Sequence, residues 1–176
     1  MLMINSTNQK GVGLMEVLVA LFILALGVLG FSALQLRAMD AAQEATEYTV
    51  AMNNARDLAE RMRVNRTALS DYKNAINNVV SIDTCTGIND ITIPKSLAIP
   101  KCNSTLMAQH DATEILAKAS DNGQTIIVEN CVKSTLNCIY VAWGKTSIIA
   151  SDLSNCVDTA TGAYIVNAKC LVMEAF

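Results

Sequence analysis

KGVGLMEVLVALFILALGVLGF, residues Lys10 to Phe31, is the stretch that decides the architecture of this chain. From Val17 to Phe31 it contains no polar residue, and with Ser32, Ala33 and Leu34 it reaches the roughly 18 residues that suggest a membrane span. A secretory signal would have a shorter apolar run, closed by a small-residue cleavage site and followed by a new pattern. Here the helical pattern continues straight past the far edge. A carboxylate, Glu16, stands at the entrance of the run, five residues after Gly11. An ionisable group in a span costs a few kcal/mol and generally persists only with a partner or a role. Glu16 therefore either marks the headgroup edge or is retained for a partner.

Beyond the span, QLRAMDAAQEATEYTVAMNNARDLAERMRVNR (residues 35 to 66) has no Gly or Pro and is rich in strong helix formers. One helix is expected from about Leu14 to Asn65, on the order of 75 Å long. Leu36, Met39, Gln43, Thr46 and Val50 form one stripe at helical spacing, and Ala51, Ala55, Leu58, Ala59 and Met62 form a second. The helix is expected to press an apolar stripe against whatever follows. Asp57–Arg61 and Arg56–Glu60 are four apart and read as outer-face pairs, while Arg61, Arg63 and Arg66 complement the helix dipole. Gly27 and Gly30 offer narrow spots where backbones could approach. Lys10 precedes the span, and Arg37 beyond it is soon followed by Asp40, Glu44 and Glu47, so the N-terminus is expected in the cytoplasm and the remainder in the periplasm.

At 176 residues the chain has room for one modest domain plus an extended element. Its net charge of −3 resides in the C-terminal part, where seven Lys face ten acidic residues from Thr67 onward. No basic patch marks a nucleic-acid partner. Six cysteines, Cys85, Cys102, Cys131, Cys138, Cys156 and Cys170, all lie beyond the span. An even count in an exported region reads as a disulfide framework. The tightest spacing is Cys131-x6-Cys138 and the chain has a single His, which does not suit a zinc site. No nucleophile, metal or phosphate-binding pattern emerges, so neither an enzyme nor a cofactor is expected.

In the C-terminal part, Asn103 or Ser104 can cap a helix running to about Ser120, with Leu106, Met107, Ile115 and Leu116 as its apolar positions. Asn122-Gly123 then breaks the chain. QTIIVENCV and NCIYVAW read as strands joined by Lys133 to Asn137, and Ile148–Ser151, Ala163–Asn167 and Lys169–Met173 as further short strands. Lys73 to Pro100 reads as loops. Cys131 and Cys138 flank the hairpin connector, so a bridge between them is geometrically open. Cys85 with Cys102 and Cys156 with Cys170 then remain as sequential pairs, one of fifteen connectivities. His110 reads as a solvent-facing helix residue rather than a catalytic base, and Trp143 as a core aromatic. Three glycosylation-like sequons, at Asn5, Asn65 and Asn103, are given no role.

KGVGLMEVLVAL resembles the class III signal of type IV prepilins and pseudopilins: a short basic leader ending in Gly, a hydrophobic residue, and Glu at the fifth mature position. The resemblance implies cleavage by a prepilin peptidase between Gly11 and Val12, N-methylation of Val12, and pairing of Glu16 with the N-terminal amine of a neighbouring subunit. Such an ion pair would supply the missing partner and a register mark together. The sequence has Val12 where Phe is common and Gly13 where Thr is common. ALQLRAM followed by ARDLAERMRVNR further resembles the PilV family of type IV pilus modification proteins, which commonly carry an E-R-M-R-x-N-R segment. The head is similar to that pattern too, except between Lys73 and Pro100.

The expected fold is therefore α+β and type IV pilin-like: a long N-terminal helix, transmembrane in its first half, with an antiparallel sheet head stabilised by disulfides. The expected boundaries are a leader at 1–11, a membrane or filament-core half-helix at 12–36, a periplasmic half-helix at 37–66 and a head at 67–176. The resemblance implies a minor pilin that initiates or modifies type IV pilus assembly and supports twitching motility, adhesion or DNA uptake. Its partners would be other minor pilins and the major pilin, the prepilin peptidase, the inner-membrane assembly platform and membrane lipid. A type II secretion minor pseudopilin shares the signal, and a tip-displayed adhesin or DNA-binding pilin is a further alternative.

Overall fold

A computed structural model describes residues 13–80, 85 and 102–175. The leader, the Gly11–Val12 junction and most of the 73–100 stretch read as loops lie outside the described residues. The first helix, α1, runs Leu14–Val64 over 51 residues. The chain divides between Glu44 and Ala45 into two units.

The first unit is α1 up to Glu44. All its described side chains are exposed, large apolar ones such as Leu18, Phe22, Leu29 and Phe31 included. Among the described residues this is the helix long and apolar enough to cross a membrane. With an apolar surface on every side, it needs lipid or other helices around it.

The second unit begins in the same helix, where Ala51, Asn54, Ala55, Leu58 and Met62 are buried. Only the second of the two stripes is used in this way. Leu36, Met39, Gln43 and Thr46 are exposed. After Val64, Asn65 leaves helical geometry at φ −113, and one 3-10 turn, Arg66–Ala68, leads into α2, Leu69–Asn78. Helix α2 corrects the loop reading of its residues from Lys73 on. Its sequence, LSDYKNAINN, is polar, but Tyr72, Ala75 and Ile76 fall at i, i+3 and i+4 and are all buried. It ends where Val79 turns left-handed at φ 52 and its N–H closes on the carbonyl of Ala75.

Helix α3 spans Ser104–Asp121, with the Asn103 side chain accepting from the Leu106 N–H at 2.8 Å as its N-cap. Gly123, at φ 64, turns the chain into the sheet. Strand β1 is Gln124–Asn130, β2 Asn137–Trp143 and β3 Cys170–Glu174, antiparallel in the order β1-β2-β3. Glu129 faces Cys138, which in turn faces Glu174, and Ile127 faces Tyr140, which faces Val172. Alternation divides the strands between two layers. Ile126, Val128, Ile139, Val141 and Leu171 pack with the helices. Ile127, Tyr140 and Ala142 pack instead with Ile148, Cys156 and Val157 from the long connection between β2 and β3.

Two further expected strands reduce to isolated bridges, Ile149 with Asp152 and Val157 with Tyr164. Each of these segments is held by turns and by the disulfide nearby rather than by a ladder. The disulfides join Cys85 to Cys102, Cys131 to Cys138 and Cys156 to Cys170. The sheet's β1 edge is closed by a side chain. Asn77 of α2 donates to the Val128 carbonyl at 2.9 Å and accepts from the Val128 N–H at 3.1 Å, as a neighbouring strand would.

Candidate functional site

The first turn of α1 carries Glu16, whose backbone N–H donates to the Gly13 carbonyl at 2.9 Å. Its side chain is exposed, as are Val17, Ala20 and Leu24 along the same face. A carboxylate is thus presented at the helix N-terminus, where the dipole favours negative charge, against an apolar surface that, among the described residues, offers no compensating cation. The structure places Glu16; Gly11 and Val12 lie before the described residues.

At the other end of α1, residues Glu60 to Arg66 make a polar knot with the head. Arg61, its side chain 23% exposed, donates through Nε to Asp57 at 2.9 Å. Its Nη1 reaches Asp111 at 2.6 Å and Glu114 at 2.8 Å, both on α3. Lys118 holds the second oxygen of Asp57 at 3.0 Å. Asp111 also accepts the O–H of Tyr72 from α2, which in turn approaches the Arg61 carbonyl at 3.3 Å. One guanidinium therefore ties three helices together. Around it, Met62 is fully buried and the Asn65 amide donates to the Ser104 carbonyl at 2.7 Å.

The electrostatics follow from this crowding. Burial works against the Arg61 charge, but hydrogen bonds to Asp57, Glu114 and Asp111 outweigh it and raise its pKa above the ordinary value. Burial pushes the Asp57 carboxyl up, and the bonds from Arg61 and Lys118 more than reverse that. The Arg61 hydrogen bond holds Glu114 below the usual carboxylate range. Burial, with Asp111 accepting the proton, raises the Tyr72 phenol.

Two sequence readings are corrected here. Arg61 is not on an outer face; it lies one turn from Leu58 and beside Met62, at the rim of the core. His110 is buried rather than solvent-facing, with its Nε2 3.7 Å from Glu114. It occupies the α3 face turned toward this cluster, while the core face is built by the small residues Ala108, Ala112 and Ala119 together with Ile115. Met107, one of the apolar positions expected on this helix, is 39% exposed. Trp143 is in the core, edge-on to Tyr48 at 6.3 Å between ring centroids. The Asp111, Glu114 and Tyr72 partners were not singled out in the sequence. The signal that could have found them is a polar residue adjacent in helical projection to core positions on each of two helices.

The first unit is an exposed apolar helix headed by a carboxylate, and the second is a disulfide-bonded α+β head packed on the residues from Ala51 to Met62. Comparison with known families defines the class: residues 6–32 match the prokaryotic N-terminal methylation motif. Directly after it, residues 33–113 match the family described as Type IV pilin Tt1218. The chain thus carries a type IV pilin domain behind a prepilin methylation motif. No curated protein and no solved structure matched the chain.

Proposed function

We propose that the chain is a minor pilin of the PilV kind: cleaved after Gly11, methylated on Val12, and incorporated into a type IV pilus assembly through its N-terminal helix. The observation that carries this reading is the pairing of the methylation motif with a helix whose apolar residues are exposed on every side behind Glu16. A helix of that kind is held by lipid before assembly and by other pilin helices afterwards, and Glu16 then finds a cation in a neighbour's N-terminal amine. The disulfide-bonded head belongs in an oxidising compartment, in keeping with a periplasmic position before assembly. The match to a type IV pilin family favours a pilus over a secretion pseudopilus. The partners of this reading are other minor pilins, the major pilin, the prepilin peptidase and the assembly platform.

Deleting the gene and counting surface pili tests the reading. Fewer or shorter pili, restored by the wild-type gene and not by Glu16→Leu, is the expected result. Unchanged piliation, motility and transformation would refute it. Intact mass of the mature protein independently locates the cleavage, detects the added methyl group and counts the disulfides.

A further inference from the structure

On the sheet layer turned away from the helices, a cavity of about 280 Å³ opens between β3, the 131–136 hairpin and the long connection. The Cys131–Cys138 disulfide, Val132 and Val157 supply its apolar lining, beside the polar Ser134. Two tyrosines line it in pinned positions. Tyr140 donates its hydroxyl to the Asn130 carbonyl at 3.2 Å, and the Tyr164 oxygen accepts from the Val172 N–H at 3.0 Å. With its oxygen so occupied, Tyr164 is held at the β3 edge while its side chain stays largely exposed.

The charged group lining the cavity is Glu174, at the end of β3. Among the described residues it has no ion-pair partner. Asp57, Asp111 and Glu114 are answered by Arg61 or Lys118, and Glu129 by Lys73; Glu174 stands exposed at the lip of the recess beside apolar and aromatic side chains.

We propose that this recess is a docking site for one cationic side chain, an arginine or lysine presented by a neighbouring protein. The aliphatic stem would lie along Val132 and Val157, the charged head would reach the Glu174 carboxylate, and the tyrosine rings would flank it. The volume suits a side chain rather than a larger ligand, being at the low end for small-molecule pockets. The net negative charge of the head attracts such a group. The site is independent of Glu16 and of the helix that carries it.

The test uses the oxidised full chain, isotope-labelled, in detergent micelles, titrated with N-acetylarginine amide and followed by the amide resonances of Tyr140, Val172 and Glu174. Saturable shifts that weaken with added salt are expected, with Kd raised about fivefold or more in Glu174→Gln. N-acetylnorleucine amide and a methyl glucoside should give no comparable shifts, and a free diamine should bind no more tightly than the arginine amide. The absence of saturable shifts, insensitivity to salt, an unchanged Kd in Glu174→Gln, or equal binding of the norleucine amide or the glucoside would overturn the proposal. Tighter binding of the diamine would overturn its assignment to a protein side chain. If Glu174→Gln fails to fold, the salt dependence and the norleucine comparison on the wild-type chain decide.

Discussion

Replacing Arg61 by Met keeps most of the apolar stem and removes the charge that three carboxylates share. Asp57 and Glu114 are 37% and 41% exposed, so water screens most of what they lose, on the order of 0.5 kcal/mol each. Asp111 is different. Its side chain is only 11% exposed and would retain the Tyr72 hydroxyl alone. Breaking a buried pair by removing one partner costs about 3–5 kcal/mol, and the surviving hydroxyl places this case at or below the low end. The total is about 3 kcal/mol, which for a head of this size lowers Tm by about 10 °C. Trp143, the chain's one tryptophan and 4% exposed, gives a fluorescence signal for head unfolding that the N-terminal apolar helix does not contaminate. The assay is thermal melting of the full chain in micelles. Arg61→Lys should fall between wild type and Arg61→Met, since it keeps the charge but not the fork. Adding Asp111→Asn to Arg61→Met should recover part of the loss, because the uncompensated carboxylate is then gone. A shift within about 2 °C for Arg61→Met, a small fraction of that expectation, would refute the reasoning.

The same cluster predicts acid sensitivity with a defined sign. The carboxyls of Asp57 and Glu114 titrate lower in the folded chain than their ordinary values, so their contribution is fully present above about pH 4.5 and is lost as pH falls through the folded values. Melting temperature should drop over that window in wild type and less steeply in Arg61→Met. Asn77→Ala should cost about 2 kcal/mol by leaving the N–H and carbonyl of Val128, a fully buried residue, without their edge partner, measurable as a lowered midpoint in urea. Removing the Cys131–Cys138 bridge with a double Ser substitution should destabilise the head least of the three disulfides. Its closed loop is the shortest, with a separation of 7 against 14 and 17. On loop entropy that is about 2.4 kcal/mol against about 3 for the others, and the order of the three melting temperatures is the check.

The long helix was legible because nothing after Gly30 interrupts it and its apolar run is too long for a globular core. The strands were legible from Ile126–Val128 and Ile139–Val141, where β-branched residues cluster. Helix α2 was not, because only Tyr72, Ala75 and Ile76 mark its buried face and, Leu69 apart, the six residues around them are polar; packing, not propensity, makes it a helix. The segments Ile148–Ser151 and Ala163–Asn167 failed as strands for the opposite reason. Their residues suit a ladder, but turns held by Asp152 and Asp158 bend the chain before one can form. His110 and Asp111 were invisible to a pattern reading that assigns polar residues to solvent, since Asp111 meets its partner Arg61 fifty positions away and His110 lies beside the same cluster at Glu114.

The segment that most sharpened the sequence reading, Glu60 to Arg66, acquires a physical meaning from this cluster. Arg61 binds α3 and, through Asp111, α2; Met62 fills the core; Asn65 stops the helix and holds the start of α3. Each of these contacts is internal to the head. The segment therefore fastens the end of the long helix to the head, and recognition of a partner falls to surfaces that it does not build. On the described part of the head, the Glu174 recess is such a surface, and it shares no residue with the knot. Loss of arginine-amide binding in Glu174→Gln with Tm unchanged, beside a lowered Tm in Arg61→Met with binding unchanged below the melt, would separate recognition from fastening in a single chain.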